Sequence, residues 1–186
     1  MSVTDPHDAE WETERIERAR QGSLDAFESL VRRHEGRLFR FLLARAACRA
    51  DAEDALQETF AAAYRYLDTY RSRWAFSTWL YRIARNRFLD QQRQGWRWLG
   101  LESLEGRDGV PDPELEQLSD AREVRQALQR LPERQRSALL LSYYEGLSQK
   151  EVAQVLGLGL RAVESLIVRA RRALGKTLEE QHARTP

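Results

Sequence analysis

The most informative residues of the chain lie between 148 and 174, where a short helical pattern, a glycine turn and a longer basic helical pattern follow one another. This order predicts a helix-turn-helix, and Ser148 and Glu151 have the spacing of a capping box at its start. When the apolar faces of both helices pack together, six side chains of the second helix remain outside: Arg161, Glu164, Ser165, Val168, Arg169 and Arg172. Side chains near the start of such a helix reach base edges in a major groove, and later arginines bind phosphates. The pattern favours DNA binding over an ordinary helical hairpin with a solvated basic face.

A second candidate region, residues 71–93, alternates aromatic residues with arginines. Aromatic rings stack on unpaired bases while arginines follow the phosphate backbone, as in proteins that bind single-stranded nucleic acid. The helical spacing of Leu80 and Phe88 also fits a buried core, so the pattern alone favours neither interpretation. Trp74 and Phe76 are the better candidates for base contacts, because they lie in the loop before the predicted helix.

A third region, residues 51–58, carries acidic and polar side chains on one face of an amphipathic helix. Such a face is usually just solvated, and by itself it indicates protein docking only weakly. Its meaning therefore depends on the two nucleic-acid candidates that follow it in the chain.

Residue types needed for other chemistry are scarce in this sequence. The single cysteine, Cys48, excludes an internal disulfide and a cysteine-based zinc site. Three scattered histidines do not form a metal-binding motif, and the sequence has no nucleophile–base pair and no glycine-rich phosphate loop. We therefore expect no enzymatic activity, no metal, no cofactor and no small-molecule substrate.

The composition is that of a soluble protein with segregated charge. The 186 residues are 42% hydrophobic and 32% charged, which is enough to bury a core. No stretch approaches the roughly 20 apolar residues of a membrane span, and the N-terminus lacks an apolar signal core, so we expect a cytoplasmic protein. The net charge of +1 conceals charges of +5 over residues 65–94, −5 over 95–120 and +4 over 161–176. Two basic blocks around an acidic connector predict two surfaces for a polyanion.

The elements that position these residues are predicted to be helices, because apolar residues recur at helical spacing and no segment alternates like a strand. Asp51 is the predicted N-cap of the acidic helix and Ser77 that of the next, which weakens after Gln94. Glycines and prolines then mark a linker. The last helix is predicted from about Leu160 to Leu178. The fold class is therefore all-α, with two helical domains joined by a flexible linker.

The domain boundaries follow from the same pattern. We predict an N-terminal tail at 1–19, a first domain at 20–94, the linker at 95–113, a second domain at 114–180 and a C-terminal tail at 181–186.

In this order the three regions resemble bacterial RNA polymerase sigma factors of the extracytoplasmic-function class, group IV of the sigma-70 superfamily. The resemblance rests on Asp-Ala-Glu-Asp-Ala-Leu-Gln-Glu-Thr-Phe at 51–60, Phe-Ser-Thr-Trp-Leu-Tyr-Arg-Ile-Ala-Arg-Asn at 76–86, Leu-Pro-Glu-Arg-Gln-Arg at 131–136 and the helix-turn-helix at 148–174. It covers nearly all of residues 20–178 except the linker. It implies sigma region 2 in the first domain and sigma region 4 in the second.

The resemblance implies a promoter-specificity subunit that binds core polymerase and directs transcription initiation. Four residues would dock on the clamp helices of the polymerase's largest subunit, with acids paired to arginines there: Asp51, Asp54, Gln57 and Glu58. The −10 element would be melted and one base captured by another set: Trp74, Phe76, Arg82, Arg85, Asn86 and Arg87. The six outward residues of the helix-turn-helix would read the −35 element as duplex.

Two departures from the family pattern are informative. Residues 161–166 read Arg-Ala-Val-Glu-Ser-Leu where Gly-Thr-Val-Lys-Ser-Arg is commoner, so Glu164 and Leu166 replace positive contacts. Because a glutamate accepts a hydrogen bond from cytosine N4, we expect an altered −35 preference rather than lost binding. The loop 71–74 lacks the glycine often found there, which affects the shape of the base pocket.

Members of this class are usually held inactive by an anti-sigma factor, often membrane-anchored, and the resemblance implies such a partner. It also leads us to expect that the two domains move when free and close around the inhibitor. One alternative is a helix-turn-helix regulator that binds duplex operators without joining polymerase. The 51–60 helix discriminates between the two, because a simple regulator has no need of it. A structural or adaptor protein with solvated basic faces is a third possibility, against which the segregated charge argues.

Overall fold

A computed structural model describes residues 6–46, 48–98 and 119–182, and these residues form α-helices and no strands. The helices are α1 (Pro6–Arg20), α2 (Leu24–Leu43), α3 (Arg49–Arg65), α4 (Phe76–Trp98), α5 (Ser119–Gln129), α6 (Glu133–Leu139), α7 (Gln149–Leu156) and α8 (Leu160–His182). A 3-10 turn at Leu67–Thr69 follows α3, and a π-helical turn at Leu140–Tyr144 continues α6. The predicted all-α fold is confirmed for the described part of the chain. Residues 99–113 of the predicted linker lie outside it.

The first domain, α1 to α4, forms because each helix places an apolar face against a shared core. Ser23 is the N-cap of α2, and its hydroxyl accepts a hydrogen bond from Ala26 N. Leu30, Phe76 and Leu80 are almost fully buried and bring α2 and α4 together. Burial of such side chains contributes about 1.5–3 kcal/mol each. This core fixes the start of α4 and the loop before it.

The second domain, α5 to α8, is a helix-turn-helix supported by two further helices. The predicted capping box is present, since Glu151 N donates to Ser148 Oγ (3.4 Å) and Ser148 N donates to Glu151 Oε2 (2.8 Å). α7 ends at Gly157, whose φ of 65° is left-handed and suits glycine. The fully buried Val152 and Val163 join α7 to α8. The predicted helix-turn-helix is therefore confirmed.

The structure corrects two boundaries near the N-terminus. Most of the predicted N-terminal tail is α1, because Ile16 and Ala19 give it an apolar face that packs in the core with α2. α3 begins at Arg49 with Cys48, not Asp51, as its N-cap. The Cys48 sulfur accepts a hydrogen bond from Asp51 N at 3.5 Å, which places Asp51 in the first turn of the helix.

Two later helices also differ from their predicted limits. α4 begins at Phe76, so Ser77 lies inside its first turn and is not its cap. The same helix continues to Trp98, because the single Gly95 costs only about 1 kcal/mol and does not end a helix. α8 runs past Leu178 to His182, with a Lys176–Glu180 ion pair (3.8 Å) one turn apart supporting its last turns.

The two domains pack directly on each other, mainly through α4 and α7. One continuous hydrophobic cluster contains Phe41 and Tyr81 of the first domain together with Leu141 and Val155 of the second. The two domains therefore share a core in this structure, and the expectation that they move when free stays a prediction.

Candidate nucleic-acid interface

The outer face of α8 carries the six residues predicted to contact duplex DNA. All six are exposed, and they are Arg161, Glu164, Ser165, Val168, Arg169 and Arg172. Val163, Ile167 and Ala170 on the opposite face are buried. Arg169 Nη2 donates to Ser165 Oγ (2.9 Å) and Arg169 Nε donates to the Ser165 carbonyl (3.2 Å), which orients the guanidinium along the helix. This face offers three guanidinium groups and one carboxylate, a combination that can contact both phosphates and base edges.

The six residues predicted to contact single-stranded DNA are divided by the structure. Phe76 is 1% exposed and packs edge-on against Tyr70, with ring centroids 5.4 Å apart. It is a core residue, which contradicts the prediction that it contacts a base. Arg82 and Asn86 are exposed one turn apart on α4, whereas Trp74 is half-buried. The outward face of α4 therefore presents a guanidinium group and an amide to solvent.

Arg85 lies on a different face of α4 from Arg82 and Asn86. Its side chain is half-buried, and its charge acts on Arg45 and Glu133. Arg87 is also half-buried. The structure therefore does not bring all four predicted polar residues of α4 onto one surface.

The loop before α4 is held by aromatic packing and by hydrogen bonds. The Tyr70 hydroxyl donates to the Trp74 carbonyl (2.8 Å), and Arg20 Nη2 donates to the Tyr70 carbonyl (2.5 Å). Trp79 packs on Tyr70 and Phe76, with ring centroids 5.5 Å from each. Burial raises the pKa of Tyr70 to about 12, so the hydroxyl stays a donor at neutral pH. These contacts fix the backbone position from which the Trp74 ring projects.

α3 has one buried apolar face and one exposed acidic face. Ala52 and Ala55 are fully buried against the core of the first domain. Asp54, Gln57 and Glu58 are exposed, and Asp51 is half-buried in the first turn. This burial pattern agrees with the predicted acidic face on this helix. The face can accept hydrogen bonds from arginines of a partner.

The residue that sequence reasoning missed is Arg45, just after α2. Its side chain is 1% exposed, its guanidinium lies over the rings of Phe41 (5.0 Å) and Phe88 (4.8 Å), and its Nη2 donates to Glu133 Oε1 at 2.6 Å. Burial lowers the pKa of Arg45 to about 10, against the opposing effect of Glu133. The spacing of Leu38, Phe41 and Arg45 could have predicted its burial, because it places Arg45 on the apolar stripe of the helix.

Two further observations concern the described residues as a set. Among them, no group of histidine, cysteine, aspartate and glutamate side chains is arranged to hold a metal ion. The helices that the structure describes include none with the length and apolar character needed to cross a bilayer.

Comparison with known proteins decides the family. The Sigma-70 region 2 model matches residues 30–97, and the Sigma-70, region 4 model matches residues 121–174. The chain is 35% identical over 177 residues to the RNA polymerase sigma-H factor of Pseudomonas aeruginosa, covering 88% of this chain and 92% of that protein. It is 37% identical over 172 residues to the ECF RNA polymerase sigma factor SigE of Mycolicibacterium smegmatis, covering 89% of this chain and 66% of that protein.

The chain belongs to the extracytoplasmic-function sigma factors. Its fold agrees with this, because the solved structure of CnrH in complex with the cytosolic domain of CnrY is similar, with a TM-score of 0.71 and 29% identity. That likeness covers 91% of this sigma factor and 98% of the CnrH chain, so it includes both domains. Sigma factors are DNA-binding transcription-initiation factors. In this sigma factor α3 and α4 lie in region 2, and α7 and α8 lie in region 4.

Proposed function

We propose that this sigma factor binds core RNA polymerase and directs promoter-specific initiation, with one exposed surface for each task. The observation that carries the proposal is the presence of three polar exposed faces, on α3, α4 and α8, in a chain that matches sigma regions 2 and 4 in order. A regulator that binds operators without polymerase gives no role to the α3 face. The sigma function accounts for all three faces.

The acidic face of α3 docks on the clamp helices of the polymerase's largest subunit. Asp54 and Glu58 are exposed one turn apart, with Gln57 beside them, and they accept hydrogen bonds from arginines. Asp51 adds negative charge in the first turn of α3, where the helix dipole favours it. The α3 charges steer association and fix its orientation.

The outward face of α4 and the loop before it hold the −10 element after melting. Arg82 contacts phosphate, and the Asn86 amide reads the edge of an unpaired base. The Trp74 ring offsets the stacking that the base loses. Arg85 and Arg87 add positive charge along the same helix. Phe76 supports this surface from the core and takes no part in the contact.

The outer face of α8 reads the −35 element in the major groove. Arg161, Glu164 and Ser165, near the start of the helix, reach base edges, and Glu164 accepts from cytosine N4. Val168 supplies an apolar contact, and Arg169 and Arg172 bind phosphates. The carboxylate among the arginines is the basis for a −35 preference that differs from that of relatives with lysine at this position.

The proposed partners also include an anti-sigma factor. CnrH, which this sigma factor resembles in fold, was solved in complex with the cytosolic domain of CnrY. A protein that covers the α3 and α4 faces would block polymerase docking and −10 binding together. We place the sigma factor in the cytoplasm as a subunit without enzymatic activity of its own, since polymerase supplies the catalysis.

The test is transcription from a random promoter library by purified bacterial core polymerase, with and without this sigma factor. We expect transcripts only with the protein, and sequencing their starts gives both promoter elements. The double variant Asp54→Ala, Gln57→Ala should weaken core binding about tenfold or more, since loss of about 1.4 kcal/mol is tenfold. The matched control, Glu14→Ala, Glu17→Ala on α1, removes exposed charge elsewhere and should not change it. A wild-type protein that binds no core polymerase would contradict the proposal.

A further inference from the structure

α1 packs against the loop that joins α3 to α4, residues 66–75, which we call the α3–α4 loop. Ile16 and Ala19 on α1 are 5% and 4% exposed, and they lie in the same hydrophobic cluster as Leu67 and Tyr70 of the loop. α1 also contacts the 3-10 turn with which the loop begins. The Sigma-70 region 2 match starts at residue 30, so α1 lies before it. A helix outside the matched segment therefore supports a loop that is proposed to contact DNA.

The guanidinium group of Arg20, the last residue of α1, donates hydrogen bonds to two carbonyl oxygens of the α3–α4 loop. Arg20 Nη2 donates to the Tyr70 carbonyl at 2.5 Å, and both Nε and Nη2 donate to the Leu67 carbonyl at 3.4 Å. The third nitrogen, Nη1, lies 3.7 Å from Glu17 Oε2 of the same helix. Hydrogen bonds from a charged donor are stronger than neutral ones, so one side chain holds the loop at two points.

Tyr70 connects Arg20 to Trp74. The Tyr70 ring packs on Phe76 and Trp79, and its hydroxyl donates to the Trp74 carbonyl at 2.8 Å. Arg20 holds the backbone of the same residue and also lies over its ring, with the guanidinium carbon 5.9 Å from the ring centre. The backbone from which Trp74 projects is therefore linked to α1 through a single residue.

The α3–α4 loop keeps its shape through side-chain donors and without a glycine. Residues 66–75 contain no glycine, and none of them has a positive φ. Arg71 Nη1 donates to the carbonyls of Asp68 (2.7 Å) and Tyr70 (3.1 Å), so the Tyr70 carbonyl accepts from two arginines. Arg71 belongs to the loop and is exposed, whereas Arg20 is half-buried on another element. Of these two arginines, Arg20 is the one that ties the loop to the rest of the domain.

A second contact from α1 supports the start of α4. His34 Nε2 on α2 donates to Glu12 Oε1 at 2.9 Å, and the His34 ring packs on Phe76 with ring centroids 5.5 Å apart. Both Glu12 and His34 are half-buried. α1 therefore supports the α3–α4 loop on both sides: directly at Leu67 and Tyr70, and through His34 at Phe76.

We propose that Arg20 is a positioning residue for −10 recognition: it fixes the α3–α4 loop so that the Trp74 ring is in place before an unpaired base arrives. This role of Arg20 rests on the proposed function for the part that Trp74 takes in DNA binding. Arg20 acts through the loop and does not touch DNA itself. A loop that is ordered in advance loses less conformational entropy on binding, which increases the affinity.

The test compares binding of single-stranded DNA by holoenzymes reconstituted from core polymerase and variants of the full chain. The probe is a fluorescent oligonucleotide with the −10 sequence recovered from the promoter library, and anisotropy gives the affinity. Arg20→Ala should weaken binding about tenfold, the factor expected when about one loop residue must be ordered on binding. Arg20→Lys keeps a charged donor and should lose less. The matched control is Arg18→Ala, which removes an exposed arginine of α1 that lies 3.6 Å from Glu14, and it should bind like the wild type.

A double-mutant cycle with Trp74 separates positioning from a general loss of stability. If Arg20 acts through the Trp74 ring, Arg20→Ala should have little further effect on −10 affinity in a chain that already carries Trp74→Ala. Tyr70→Phe removes the hydrogen bond to the Trp74 carbonyl and keeps the buried ring, so it should also weaken binding only when Trp74 is present. Hydrogen–deuterium exchange of residues 66–75 in the free protein should become faster in Arg20→Ala and stay unchanged in Arg18→Ala.

Three results would overturn the positioning role. Equal losses of −10 affinity with and without Trp74 would show that Arg20 does not act through this ring. Faster exchange of the loop with unchanged −10 affinity would show that order in the loop does not contribute to binding, and unchanged exchange in Arg20→Ala would show that Arg20 does not order it. Failure of the proposed function is seen separately, as a wild-type protein that forms no holoenzyme, and it would remove the role of Arg20 in DNA binding while leaving the exchange result as it stands.

Discussion

Two helices of this sigma factor carry the arginines proposed for DNA, and they differ in what covers them. α8 stands with its whole reading face exposed, so every predicted residue is available at once. α4 is packed on one side into its own domain and on another against α7, and of its five predicted contacts only Arg82 and Asn86 are fully outward. The difference teaches that the exposure of the α8 face depends on the second domain alone, whereas the exposure of α4 depends also on how the two domains pack.

The largest expected effect is a loss of stability at the start of α4, where Phe76 lies in the core and Trp74, in the loop before the helix, does not. Phe76→Ala should destabilise the first domain by about 3–5 kcal/mol, because it removes a fully buried aromatic ring. Trp74→Ala, at a half-buried loop position, should cost less than half as much and should weaken −10 binding instead. Urea unfolding monitored by circular dichroism measures both changes. If Phe76→Ala left stability intact and abolished −10 binding, the assignment of Phe76 to the core would be wrong.

A smaller effect is expected for α8, the helix whose predicted DNA contacts are all exposed. Arg169→Ala should weaken −35 duplex binding by about 1–3 kcal/mol and lower the salt slope of log K by about one, because one phosphate contact is lost. Lys176→Ala, on the same helix beyond the reading face, is the control and should leave the affinity nearly unchanged. Fluorescence anisotropy at several salt concentrations gives both quantities. An unchanged affinity in the Arg169 variant would place the recognition face elsewhere on α8.

The smallest expected effect is a pH dependence of the packing between the two domains. Burial alone would raise the pKa of Glu133, but the charge of Arg45 and hydrogen bonds from Ser137 and Arg45 lower it overall. A Glu133 pKa that is lowered by packing of the two domains favours the packed form at pH values above the usual range of a glutamate, and this contribution is lost as the pH falls through the lowered pKa. Burial raises the pKa of Glu145, so its contribution has the opposite sign: it is present at low pH and is lost as the pH rises.

Variants of Glu133 and Glu145 are therefore expected to respond to pH in opposite directions. Distances between nitroxide labels on the two domains are measured from pH 6 to pH 3. In Glu145→Gln the fraction of molecules with packed domains should fall on acidification, because only the Glu133 contribution remains. In Glu133→Gln the fraction of molecules with packed domains should rise over the same range. Identical pH profiles for the two variants would show that neither carboxylate affects the packing of the domains.

The sequence predicted the second domain better than the first, for a physical reason. The helix-turn-helix is specified locally, since Ser148, Glu151 and Gly157 start and stop α7 within a few residues and the apolar period sets the packing of α8. The limits of α1 and α4 depend instead on tertiary burial, which no local signal encodes. Phe76 illustrates this, because a loop aromatic and a buried aromatic are identical in sequence.

The candidate site was predictable to the extent that it depends on one helix at a time. Exposure of the six α8 residues and of Asp54, Gln57 and Glu58 follows from helical period alone. The burial of Arg85 does not, because this part of α4 packs against the other domain, where the charge of Arg85 acts on Glu133, 48 residues away in the chain. Arg45 was missed for the same reason: an arginine in an apolar stripe is unremarkable until its distant partner is known.

The central claim is that the two domains pack together through one side of α4, which buries Tyr81 between them, while the acidic face of α3 and the outer face of α8 stay exposed. Hydroxyl-radical footprinting read by mass spectrometry tests it directly, because oxidation of a tyrosine follows its exposure. The account predicts rapid oxidation of Tyr143, which is 60% exposed in the second domain, and protection of Tyr81, which is 4% exposed between the domains. Protection of Tyr81 should decrease in Glu133→Gln while Tyr143 stays unchanged. Oxidation of Tyr81 at the rate of Tyr143 in the wild type would contradict the account.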